Sequence, residues 1–156
     1  MRVHAPVHLR WGDLDAYNHV NNVELLRVLE EARVRVFWRS GDEGDGIDQG
    51  MALIEAEPGS ETLTLVARHE VEYRKPIPYQ RAPLDIQLWI GRLGGASLDV
   101  HYEVFTQHDG DTPAACAACT IVLVDASSGA PRRIREAERR AWQCYAEAPV
   151  TFTGRR

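Results

Sequence analysis

Residues 10–22 read Arg10-Trp11-Gly12-Asp13-Leu14-Asp15-Ala16-Tyr17-Asn18-His19-Val20-Asn21-Asn22, and the chain continues VELLRVLEEARVRVFWR to Arg39. In the second half Leu25, Leu26, Leu29, Ala32, Val36 and Phe37 recur at helical spacing, which predicts an amphipathic helix. Asn21 or Asn22 starts it, because an Asn side chain satisfies the first free helix amides. The helix should end before Ser40-Gly41, since Gly41-Asp42-Glu43-Gly44-Asp45-Gly46 is too rich in glycine and acid to continue it. A polar stretch from Asp13 to Asn22 therefore sits directly against a helix N-terminus.

Upstream, Val7, Leu9 and Trp11 alternate with His8, Arg10 and Gly12, the period of a half-buried strand. Downstream come long alternating runs. Leu63, Leu65, Ala67, His69, Val71 and Tyr73 form one set; Leu84, Ile86, Leu88 and Ile90 the next; then Leu98, Val100, Tyr102 and Val104; and last Ala115 to Val124. Gly94-Gly95 reads as a two-residue hairpin, Asp109-Gly110 as a reversal, and Ser128-Gly129 as the close of the last strand. Consecutive hairpins would make an antiparallel meander. A helix of ~27 Å matches strands of eight to ten residues in length. The expectation is one two-layer α+β domain over residues 1–156, with the helix lying along one curved sheet. Val66, Trp89, Phe105, Val122 and Val124 would be left on the outer face, enough apolar surface to call for self-association.

The 156 residues suffice for one core without disulfides or structural metals. With 44% hydrophobic and 26% charged residues, and no apolar run of membrane-spanning length, a globular protein off the membrane is expected. Met1 to Pro6 carries no signal-like pattern, which points to the cytoplasm. A net charge of −5 argues against nucleic acid as the partner. Cys116 and Cys119 lie at an odd spacing in a strand, on opposite faces, and no second Cys/His pair completes a metal site, so neither metal nor cofactor is expected.

The run from Arg10 to Asn22, continuing to Glu30-Glu31-Ala32-Arg33, resembles the signature of the hotdog-fold acyl thioesterases. Its W-x-D-x-D core is similar to the 4-hydroxybenzoyl-CoA thioesterase class, and its D-x-x-x-H-V-N-N run to the acyl-carrier-protein thioesterases. The Val71-Glu72-Tyr73-Arg74-Lys75-Pro76 stretch and the ending Gly129 to Ile134 extend the likeness over most of the chain. The resemblance implies a five- or six-stranded antiparallel sheet wrapped around one long central helix, dimerising edge to edge, with active sites at the dimer interface. It also implies an acyl-CoA substrate, with coenzyme A as part of that substrate rather than a cofactor. The family's catalytic carboxylate falls on Asp15, and the carrier-protein branch's histidine falls on His19.

Thioester hydrolysis needs a water or carboxylate nucleophile, a polarised carbonyl and a stabilised thiolate. Asp15, a few residues before a helix start, could activate water or attack directly, while helix amides hold the oxyanion. Asp13 reads instead as a loop tie. Tyr17, Asn22, Glu31, Arg74 and Lys75 are candidates for substrate contact. Asn22 also reads as a cap, Glu31 as a partner of Arg27 or Arg35. Arg74 and Lys75, or the tail Arg132, Arg133, Arg135, Arg139 and Arg140, could take the phosphates of coenzyme A. An acyl-carrier-protein thioesterase, a dehydratase and a non-catalytic acyl-thioester binder are the other readings. For a dehydratase dyad, Asp15 to His19 is one residue too short. The self-association expected is a dimer or tetramer.

Overall fold

A computed structural model describes residues 1–39, 46–55 and 57–154. The glycine- and acid-rich stretch after Arg39 lies, but for Gly46, outside the described residues. The elements run β1 (Val3–Val7), a short 3₁₀ turn at Trp11–Asp13, α1 (Asn22–Phe37), β2 (Thr62–Tyr73), β3 (Leu84–Leu93), β4 (Ser97–Phe105), β5 (Ala115–Asp125) and α2 (Glu136–Gln143).

Asn21 caps α1 as its sequence suggests: its side chain accepts from the Val23 amide at 2.9 Å. The buried stripe of α1 is Leu25, Val28, Leu29, Ala32, Arg33, Val36 and Phe37. Opposing it are Leu84, Ile86, Leu88 and Ile90 of β3 and Leu98, Val100, Tyr102 and Val104 of β4, all at 0% exposure. Helix and sheet each cover the other's apolar face. This is the expected α+β hotdog arrangement, a five-stranded antiparallel sheet around one long helix.

Several local expectations are corrected. The first strand lies four residues earlier, with Val3, Ala5 and Val7 buried against β3. Asp13 accepts the Arg10 amide at 2.7 Å, which turns the chain out of extended conformation before Trp11. Trp11 is left 73% exposed and stacked on Tyr79. The β3–β4 turn is shifted by one residue: the Gly94 amide donates to the Ser97 carbonyl, leaving Gly95 and Ala96 at its tip.

The sheet order is β1-β3-β4-β5-β2, so only β3, β4 and β5 form a meander. Residues 74–83, which carry Pro76, Pro78 and Pro83, connect β2 to β3 across the sheet rather than as a tight hairpin. β2 thereby becomes an edge strand beyond β5. Its alternation is also broken, because the register slips between Val66 and Arg68. Ala67 is the extra residue of that bulge, which puts Leu63 and Leu65 on one face and His69, Val71 and Tyr73 on the other.

The outer face is not bare either. Trp89 is 1% exposed, because the segment after α2 runs over it. Its indole donates to the Ala148 carbonyl at 2.9 Å, Arg2 lies 3.9 Å from its ring, and the Val150 amide donates to His101 Nδ1 at 3.2 Å. Gly91 makes room for His101: a Cβ there would lie 2.2 Å from His101 Cδ2. Gly91→Ala should expel the ring from this stack and cost about 1–3 kcal/mol. A melting temperature unchanged from wild type would show that the stack carries no stability.

Candidate active site

The loop between the 3₁₀ turn and α1 is closed like a small hairpin. Leu14 bridges Val20, the Asp15 amide donates to the His19 carbonyl at 2.8 Å, and the Asn21 amide donates to the Asp13 carbonyl at 2.8 Å. Asn18 turns the tip at φ 61°, a left-handed conformation that Asn tolerates. The loop is then pinned to the connection after β2: the Val20 amide donates to the Ile77 carbonyl at 2.8 Å, and His19 bridges Pro78.

Asp13 anchors this assembly from below. It is fully buried, and its carboxylate takes the Arg10 amide, the Arg10 guanidinium at 3.0 Å and the Arg27 guanidinium of α1 at 2.9 Å. Burial alone would raise its pKa, but the Arg10 and Arg27 bonds outweigh it and hold the carboxyl below its ordinary range. The tie expected of Asp13 thus spans strand exit, loop and helix.

Asp15 is partly exposed, and its Oδ1 accepts the amides of Tyr17 at 2.8 Å and His19 at 3.2 Å. Among the described residues its other oxygen accepts no hydrogen bond. Two asparagine side chains take the Val23 amide, so of the first-turn amides those of Asn22 and Glu24 keep no protein acceptor among the described residues. A fixed carboxylate with one open oxygen therefore sits in the loop that leads directly into the unfilled helix donors.

A cleft of about 340 Å³ opens on the His19 side of the loop, lined by His19, Val20, Leu25, Tyr73, Arg74, Lys75, Pro76 and Ile77, and Asp15 is joined to it through the His19 amide. The fold brings His19, Arg74 and Lys75 to this one cleft. Asn22 joins through its carbonyl, which accepts the Tyr73 hydroxyl at 3.2 Å. Tyr17 stands apart at 80% exposure, and Glu31 is exposed farther along α1. Arg27 pairs with Glu24 and Asp13 instead of Glu31.

The two cations already have partners. Arg74 donates to Glu72 at 2.8 Å and to the Thr151 carbonyl at 3.0 Å; Lys75 reaches Asp109 at 3.2 Å. The Thr153 hydroxyl and the Arg74 guanidinium pull Glu72 down to about 2, marking it as an ion-pair carboxylate. The arginines of the tail lie at the opposite end of the sheet, where Arg132 is locked bidentate to Glu138. Sequence reading missed the clamp of residues 76–78 on the loop. The alternation of Pro76 and Pro78 with Ile77 is its only local trace.

A profile of the Thioesterase-like superfamily matches residues 9–142. Among solved structures, the PA2801 protein of Pseudomonas aeruginosa is similar at 29% identity and TM-score 0.70, over 88% of this chain and 95% of that one. A thioesterase complexed with coenzyme A and Zn from Thermus thermophilus is 25% identical at TM-score 0.67, over 92% and 93%. YsmA of Bacillus subtilis (strain 168), an uncharacterized protein, is 27% identical over 124 residues, 79% of this chain and 73% of its own.

The Asp13 clamp makes a pH prediction. A depressed folded-state pKa contributes stability above the unfolded value, ~3.9, which is lost as pH falls through the folded value. Asp13→Asn should cost about 2–3 kcal/mol at pH 7, and the gap from wild type should close as the solution is acidified below ~3.9. Denaturant melts at several pH values measure it; a gap independent of pH would show that the charge is not what holds the loop. By fold, loop and profile together, the chain belongs to the thioesterase-like superfamily.

Proposed function

We propose that this chain hydrolyses the thioester of a small or medium acyl-CoA to the free acid and coenzyme A, with Asp15 as the reacting carboxylate. One observation carries the reading: a carboxylate fixed by two backbone amides, with its second oxygen open, in the loop whose His19 lines a cleft and which leads into the helix N-terminus. The similar Thermus structure, described as a thioesterase complexed with coenzyme A, supports the substrate class.

In this scheme the thioester carbonyl points at the amides of Asn22 and Glu24, where the positive end of α1 stabilises the developing oxyanion. The open Asp15 oxygen either takes a proton from the attacking water or attacks the carbonyl itself, in which case water then hydrolyses the mixed anhydride to the free acid and restores the carboxylate. The C–S bond breaks, and the thiolate leaves with a proton from solvent or His19. His19, on the cleft wall, orients water or carbonyl. Arg74 and Lys75 exchange their present carboxylate partners for substrate phosphates. Asn22, Tyr17 and Glu31 contact substrate less directly. The scheme as proposed uses no metal ion.

Asp15→Asn keeps the side chain's shape while removing its basicity, so kcat should fall at least ~100-fold, with His19→Ala intermediate. Thiol release from a panel of acyl-CoA and acyl-carrier-protein thioesters, with and without chelator, measures this. More than about a tenth of wild-type kcat in Asp15→Asn would leave that residue as a turn cap only. A rate abolished by chelator and restored by zinc would overturn the metal-free scheme.

The second copy is part of the same proposal. Among the described residues β2 pairs only with β5, and its free edge exposes Leu63, Leu65, Val66 and Tyr73 at 42–54%. A 12-residue open edge of this composition is a template for another strand. We therefore expect a homodimer through β2, or a tetramer built from such dimers. Light scattering at micromolar concentration should give at least twice 17.5 kDa; a stable monomer there would remove the idea.

A further inference from the structure

Arg33 of α1 is only 8% exposed, yet its charge is poorly met. A guanidinium has five donors, and this one reaches Glu30 Oε1 at 3.3 Å and the weakly accepting Cys119 Sγ at 3.9 Å. The Glu30 side chain is itself 63% exposed, so that pair is loosely held. Beside the guanidinium and the Cys119 sulfur, the Tyr102 hydroxyl is fully buried without a hydrogen bond of ordinary geometry among the described residues. His69 Nε2 of β2 lies 4.0 Å from Cys119 Sγ and completes the cluster. A buried cation met by one loosely held carboxylate, beside a buried hydroxyl with no good acceptor, is costly, and a second anion would satisfy both.

This cluster lies in line with the candidate active site. On α1, Leu25 lines the cleft, and Leu29 and Arg33 follow at steps of four residues on the same side. On β2, Tyr73 lines the cleft, and Val71 and His69 follow at steps of two. Their partners on β5 are Ala115, Ala117 and Cys119, all small. Leu25 to Arg33 spans ~12 Å of helix, and Tyr73 to His69 spans ~13 Å of strand. The two walls thus run from the cleft to the polar cluster over the same distance.

We infer that Arg33, Tyr102 and His69 form a recognition site for the far end of the acyl chain, and that the group recognised is a carboxylate. This rests on the thioesterase reading for the other end of the substrate. The chain lies between α1 and β2, its tip displaces Glu30 from Arg33, and the Tyr102 hydroxyl donates to it. With about 1.3 Å of advance per ~1.5 Å bond, the lane takes about nine bonds. A methyl-ended chain of that length would leave both buried polar groups unmet, which is how such sites discriminate.

The test compares coenzyme A thioesters of an α,ω-dicarboxylic acid, an ω-hydroxy acid and a plain fatty acid, each of about ten carbons. The dicarboxylic thioester should exceed the plain one in kcat/KM by roughly ten- to hundred-fold, with the hydroxy acid between. Arg33→Met should bring that ratio to about one and Arg33→Lys should keep part of it. Tyr102→Phe, which removes one oxygen, supplies the same comparison if Arg33→Met does not fold. Independently, the free dicarboxylic acid should raise the melting temperature of wild type but not of Arg33→Met. Equal rates for the three thioesters, or a diacid that stabilises wild type and variant alike, would overturn the recognition site. Absence of thiol release from every thioester would instead overturn the hydrolase reading, and the melting shift would still decide the site at Arg33.

Discussion

The apolar face of α1 has to be buried, and the concave side of the sheet is the one surface of this chain large enough to bury it. Leu25, Val28, Leu29, Ala32 and Val36 are at most 1% exposed, and they meet strands whose inward residues are equally sealed. At about 25 cal/mol per Å² of apolar area, this contact is the main favourable term in the fold. It also sets where everything else can go. The N-terminus of α1 comes out at one end of the sheet, so the polar loop before it has to turn there.

Asp13 converts that placement into a defined geometry. An unpaired buried carboxylate would be expensive, but this one is met by a backbone amide and two arginines from separate elements. The same residue that ends the 3₁₀ turn thereby holds the helix start against the strand exit. Asp15, two residues on, needs only two local amide bonds to be oriented. The two carboxylates differ in burial: Asp13 is sealed and paired, while Asp15 is partly exposed and keeps one oxygen open.

β2 shows how little backbone is needed to change a surface. One extra residue at Ala67 moves the apolar side chains before it to one face and those after it to the other. The second half then faces the helix layer, while the first half stays exposed at the free edge. Self-association, the cleft and the polar cluster around Arg33 all depend on this strand's position at the end of the sheet.

The sequence by itself determined the elements and the loop. The helix bounds, the inward residues of β3 and β4, the opposite faces of Cys116 and Cys119, and the tie made by Asp13 were all legible, because periodicity and capping are properties of neighbouring residues. Only the tertiary structure decided the strand order, the bulge in β2, the burial of Trp89 by the segment after α2 and the partners of Arg74 and Lys75. It alone set the buried charge of Arg33 beside Tyr102 and His69. Those features join residues tens of positions apart, and the energy that selects among such pairings comes from burial and ion pairing across the whole core, which leaves no period along the chain to read.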